Sequence, residues 1–318
     1  MPALITHHIF GEDILSELPA GLVEGEEELL AFLLGNQGPD PLMARFRTTP
    51  ARAALCRSLA RAIQSGRVTR ALLALRDGVG RLPRADERVG RAFALGLLGH
   101  YALDRAVHPF VISQQRALCD FDAELAGLGR EVHAVIEAEL DDWILWEKRR
   151  ATIEERPSAT NLMRTVRTER VAGALLSQVA LSVYGIAVGG REYAAAVRDY
   201  EVVYRLVEPS GTLRARGTAV LERALLGTGL AAACAHSVRR SDECPAANLG
   251  RRAWAHPFTG EARADSAADL FDEARLAYPA LAEAFVRGDG DRLRALVAGL
   301  DYAGRPGSDD DRGPCGGV

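Results

Sequence analysis

Apolar residues recur at intervals of three and four along most of this chain, the repeat of a helix with one buried face, and strict apolar-polar alternation is scarce. The pattern predicts helices over 25–35, 51–64, 68–77, 88–107, 121–149, 168–186, 190–206, 212–236, 266–276 and 278–299. Breakers fall between them: Gly35 to Pro41, Pro109, Pro157, Gly189-Gly190, Pro209 to Gly211, and Pro245. The expected fold is therefore all-α. Residues 240–264, with their Cys, Pro, Asn and Gly content, read as a long loop. No internal repeat or firm boundary divides the rest, so the expectation is one multi-helix domain over 1–302. The Gly/Asp/Pro-rich end, 303–318, reads as a disordered tail that buries too little apolar surface to order itself.

Composition narrows the function. In 318 residues, 48% hydrophobic content supports a large core, and the net charge of -4 supplies no basic footprint for duplex nucleic acid. Of the 39 basic residues only Lys148 is a lysine, a skew that carries no functional weight. The five cysteines are scattered without a Cys-x-x-Cys pair, which argues against a disulfide framework. The N-terminus has no basic flank or apolar run fit for a signal peptide. Nor does any segment approach 18 uncharged apolar residues, so the expected address is cytoplasmic, without a transmembrane segment.

Two histidine-carboxylate pairs change the picture most. His100 and Asp104 are four residues apart and lead on to His108, and His133 and Glu137 repeat the spacing. Four residues turn a helix by about 400°, so each pair shares a face and can grip one cation. Apolar neighbours such as Leu97, Leu98 and Leu103 bury the first pair, and burying an unpartnered carboxylate is costly. A divalent cation removes that cost. Asp104, with two oxygens, is the candidate bridge between two ions about 3.5–4 Å apart. The alternative for Asp104 is an arginine salt bridge, with the histidines hydrogen-bonded inside the core. Asp141 continues the spacing from Glu137, so it is either an outer ligand or a partner of the ligands, or an exposed acid; the exposed acid is the expected role. His236 and His256, beside helix-end and loop signals, are expected in surface or capping roles.

Thr6 to Gly11, the Gly35 to Asp40 loop, the Gly99 to Pro109 helix and the His133 to Glu137 pair occur in an order that resembles the zinc-dependent phospholipase C-like family. That family is similar in fold to bacterial phospholipases C and single-strand zinc nucleases, which are all-helical with up to three zinc ions in a cleft. The resemblance covers roughly residues 1–150. It implies that Asp40, His100 and Asp104 hold one Zn2+, that His108, His133 and Glu137 hold a second, and that His7 helps hold a third across Asp104. The family's further helix histidine falls near Leu55-Cys56, where Cys56 is either a substitute thiolate ligand or a small core residue. The third site lacks the processed N-terminal ligand of the secreted members, and His8 points elsewhere than His7.

The implied chemistry is phosphoester hydrolysis by metal-activated water, with Asp40 as general base as well as ligand. The leading expectation is a phospholipase C-like enzyme on a phosphodiester substrate, with phospholipid at a membrane surface as one form of it. A nuclease or phosphomonoesterase on the same metals, a di-iron or di-manganese helical protein, and a non-catalytic metal-binding member are the alternatives. The di-metal bundles usually show Glu-x-x-His rather than His-x-x-x-Glu. Oligomeric state is left open by the sequence.

Overall fold

The computed structural model describes residues 4–307. The fold is all-α. In chain order the helices are α1 (Leu4–Leu15), α2 (Glu26–Gly35), α3 (Pro50–Ser65), α4 (Val68–Val79), α5 (Glu87–Phe121) and α6 (Gly129–Arg149). There follow α7 (Val166–Tyr184), α8 (Gly190–Val207), α9 (Leu213–Leu226), the single turn α10 (Leu230–Ala233), α11 (Ala267–Arg287) and α12 (Gly290–Val297). A short 3-10 segment, Asp40–Ala44, follows α2. The predicted loop 240–264 holds a small antiparallel hairpin, Trp254–Ala255 with Ala262–Arg263.

The long α5 is the axis of the molecule, with α2, α11, α6, α1, α4 and α7 all packed on it. From Phe93 to Asp104 every residue is buried, the pattern of a helix enclosed on all sides. Its closest neighbour is α2, because Gly96 and Gly35 meet where neither has a side chain. A Cβ on Gly96 would lie 2.0 Å from the Phe32 carbonyl oxygen, and one on Gly35 would lie 2.2 Å from that of Phe93. This approach brings the end of α2, and the Asp40 segment beyond it, against the middle of α5.

Several boundaries differ from those expected. Pro109 does not end α5, which continues to Phe121. Proline removes one helical hydrogen bond and costs roughly 3 kcal/mol in a helix interior, but Ala106, Phe110 and Val111 are buried on both sides of it and packing holds the helix. Pro279 likewise lies inside α11 between buried Tyr278 and Leu281, joining much of two predicted helices into one. The segment predicted from 121 begins instead at Gly129, after a turn through Asp122. No helix was expected over α1, whose buried residues include Leu4, Ile5, Thr6, His7, Ile9 and Phe10. Part of the predicted tail is folded: Asp301 N–H donates to the Arg305 carbonyl, Arg305 N–H donates back to the Asp301 carboxylate, and Gly304 packs on Pro109. Residues 308–318 of that tail lie outside the described residues.

Candidate metal centre

Seven of the eight predicted ligands converge. His7 comes from α1, Asp40 from the segment after α2, His100, Asp104 and His108 from successive turns of α5, and His133 and Glu137 from successive turns of α6. His7 Nε2 lies 3.0 Å from Asp104 Oδ1. His100 Nε2 lies 3.2 Å from Asp104 Oδ2 and 3.4 Å from Asp40 Oδ2. Glu137 Oε1 is 3.2 Å from His108 Nε2 and 3.1 Å from His133 Nε2. Two groups result among the described residues, each with ligand atoms close enough to share an ion: His7, His100 and Asp104, and His108, His133 and Glu137. Asp104 stands between them, with Oδ2 also 3.6 Å from His108 Nδ1. The His7 and His100 rings stack with centroids 4.0 Å apart, and their Nε2 atoms meet the two different oxygens of Asp104.

A second layer of contacts aims these rings. His100 Nδ1 lies 3.0 Å from the Asn36 carbonyl, His108 Nδ1 lies 3.0 Å from that of Tyr302, and His133 Nδ1 lies 3.0 Å from the Gln115 amide oxygen. An oxygen of this kind only accepts, so Nδ1 carries the proton and each Nε2 is turned inward with its lone pair available when the ring is neutral. Gly38, at φ +54°, lets the loop before Asp40 cross the His100 ring, since a Cβ there would lie 2.4 Å from it. Gln64 Nε2 donates to Asp40 Oδ1 at 2.7 Å.

The electrostatics suit a cation. Burial opposes charge on His100, but Asp104 and then Asp40 outweigh it and hold the ring's pKa up to about 9. Burial likewise opposes charge on His108, yet Asp104 and Glu137 hold it up to about 10. Burial alone would raise Asp104, but His108, His100 and His7 keep it well below the usual carboxylate range. Burial pushes Asp40 up to about 7 against the pull of His100. Burial and then the neighbouring His100 lower His7. Asp40 Oδ2, Asp104 Oδ2 and His100 Nε2 are buried and have no hydrogen-bond partner among the described residues, although they face one another. Buried polar atoms are nearly always satisfied, and a divalent cation between these three would satisfy them together. Imidazole nitrogens with carboxylate oxygens are a donor set that fits zinc.

A cavity of about 190 Å³ opens on this centre, lined by Asp40, Gln64, His108, Ile112, His133, Tyr302 and Ala303. A smaller space of about 40 Å³ lies beside His7, Asp104, His108 and Glu137, walled by apolar residues including Leu103, Trp143 and Phe271.

Cys56 is the predicted ligand that does not join. It is buried in the core on α3, the charges it feels most are Glu192 and Arg45 rather than any residue of the centre, and burial pushes its thiol up to about 11. The face of α3 that reaches the centre is about two turns further on, at Gln64, so the small-core reading of Cys56 is the one that fits. Gln64 is the residue that sequence reasoning missed; a polar residue near the end of an amphipathic helix gave no signal by itself. His8 turns away, as expected, and lies 3.5 Å from Glu12. His256 caps a turn, accepting from the backbone of Phe258 and Thr259. His236, expected in a surface or capping role, and Asp141, expected as an exposed acid, are both buried and lie 3.0 Å apart.

Comparison with protein-family models, curated proteins and solved structures finds no match to this chain. Among the described residues no helix is long and apolar enough to cross a membrane.

Proposed function

We propose that this chain is a zinc-dependent phosphoester hydrolase of the phospholipase C-like type. The observation that carries the reading is the convergence of seven imidazole and carboxylate side chains from four chain segments on two adjoining points, with Asp104 between them. His7, His100, Asp104 and Asp40 would hold one ion, and His108, His133 and Glu137 the other. Bound zinc lowers the pKa of water toward neutrality and offsets charge developing on a phosphoryl group.

The chain's own residues supply the rest. Asp40 lines the open cavity and is placed to take a proton from an attacking water through the carboxylate oxygen not engaged by the ion. Gln64 fixes its carboxylate from one side through Oδ1. Tyr302 and Ala303 line the same cavity, whose volume of about 190 Å³ can receive a phosphate with a small substituent. The walls around the inner space keep bulk water from the carboxylates.

The test is metal analysis of the purified protein together with a substrate panel. About two zinc per chain, and zinc-dependent release of phosphocholine or another small phosphorylated headgroup, are expected. Digestion of single-stranded DNA in preference to small diesters would favour the nuclease reading, and iron or manganese as the bound metal would overturn the assignment.

A further inference from the structure

The described part of α1 carries one ligand of the centre, His7, and its first turn is gripped from a distance. Asp141 of α6 accepts a hydrogen bond from Ile5 N–H through Oδ2 at 2.8 Å and one from Thr6 N–H through Oδ1 at 2.7 Å. These N–H groups lie in the opening turn of Leu4–Leu15, the end of a helix where its dipole favours negative charge. Asp141 thus does for α1 what a capping side chain does locally, but from 135 and 136 residues away.

The carboxylate is itself locked. Its Oδ2 lies 3.0 Å from His236 Nε2, and the other ring nitrogen, Nδ1, meets Glu208 in a short hydrogen bond. Tyr204 stacks on the ring with centroids 5.5 Å apart. Ser158 Oγ is 3.1 Å from Nδ1, but Ser158 is wholly buried and beyond the reach of a substrate, so this Ser-His-Asp alignment is a brace and not a nucleophile. Burial disfavours charge on His236, yet Asp141 and Glu208 hold it up to about 10, so it is an imidazolium at neutral pH.

Asp141 also lies four residues after Glu137, one turn along the same helix. One turn of α6 thus presents a ligand of the second group, and the next grips the helix that carries a ligand of the first. We propose that Asp141, held by His236, is a positioning residue that sets the placement of α1 and hence aims His7 at the ion shared with His100 and Asp104. This rests on the metal reading above. The far end of α1 is held separately, by Arg149 on Glu12 and Asp13, so losing the brace loosens the His7 end and leaves the helix attached.

The test is Asp141→Asn, read in two ways. In the metal-free protein, amide exchange at the start of α1 should accelerate at least tenfold while exchange in the middle of α6 is unchanged. In zinc titrations against a chromophoric chelator, one site should weaken by about 10- to 100-fold, the usual effect of removing an outer partner of a ligand, while the other keeps its affinity. His7→Ala should weaken that same site, and Glu137→Gln the other. Equal weakening of both sites, or unchanged exchange in α1, overturns the proposal. Should Asp141→Asn fail to fold, His236→Gln, which leaves the carboxylate in place, is read by the same two measurements with a smaller effect in the same direction. A wild-type protein that binds no zinc would refute the metal reading alone, because the exchange measurement still decides whether Asp141 anchors α1.

Discussion

Replacing Gly96 with alanine tests the link between the packing of α2 on α5 and the metal centre. The new methyl would stand 2.0 Å from the Phe32 carbonyl oxygen and 2.9 Å from Gly35 Cα, both backbone atoms that no rotamer change can move. The helices must part by roughly 1 Å before even a tight contact is reached, and overpacking of this kind costs about 1–3 kcal/mol. Alanine's better helix propensity returns up to about 1 kcal/mol. The net expectation is a loss of about 1–2 kcal/mol in urea unfolding. The same displacement acts at Asn36, whose carbonyl lies 3.0 Å from His100 Nδ1, and at Asp40, 3.4 Å from His100 Nε2. An extra ångström takes the first beyond hydrogen-bonding range and opens the second, so the ion shared by His100 and Asp104 should weaken about tenfold or more. The ion at His108, His133 and Glu137, carried by α5 and α6, should be retained. Gly217→Ala in α9 is the control: nothing lies within 4 Å of its Cβ, and it should be stabilised by about 0.5–1 kcal/mol with zinc unaffected. If Gly96→Ala matched that control in both stability and zinc affinity, the claimed coupling would be refuted.

Other outcomes follow from the same geometry. Asp104→Asn should weaken zinc at the His7–His100 group, because this carboxylate meets both of those Nε2 atoms, whereas Glu137→Gln should weaken the other group; metal titration separates the two patterns. Cys56→Ser should leave zinc content unchanged and cost about 1–3 kcal/mol of stability for a hydroxyl in an apolar site, measured by urea unfolding and metal analysis. The His236 pKa is raised on folding, so its contribution is full below the unfolded value near 6.5 and is lost as pH rises toward about 10. Unfolding of the chelated protein at pH 7, 8 and 9 should therefore show stability falling with pH, by up to about 1.4 kcal/mol per unit from this one group. His236→Gln should show a shallower fall, and an equal slope in the two proteins would remove His236 from the account.

Much of the architecture is legible in the chain because its determinants are local. Periods of three and four residues mark α3 to α8 wherever one face is buried and the other wet, and the four-residue spacing places His100 with Asp104, and His133 with Glu137, on shared faces before any tertiary contact exists. The same rule fails elsewhere. It misses α1, and it breaks α5 at Pro109 and α11 at Pro279, where packing outweighs a missing hydrogen bond.

What the tertiary structure alone decided is which of these faces look at one another. Cys56 and Gln64 share one helix, and nothing in that helix says which is turned toward Asp40; the packing of α3 on the loop after α2 does. His236 and Asp141 read as surface groups because each is polar and flanked by ordinary signals. Their burial follows from contacts across 95 residues of sequence, where opposite charges and a helix end satisfy one another. A helical repeat fixes the angle between neighbours on one cylinder, and only the close approach of several cylinders brings ligands from four segments onto the same points in space.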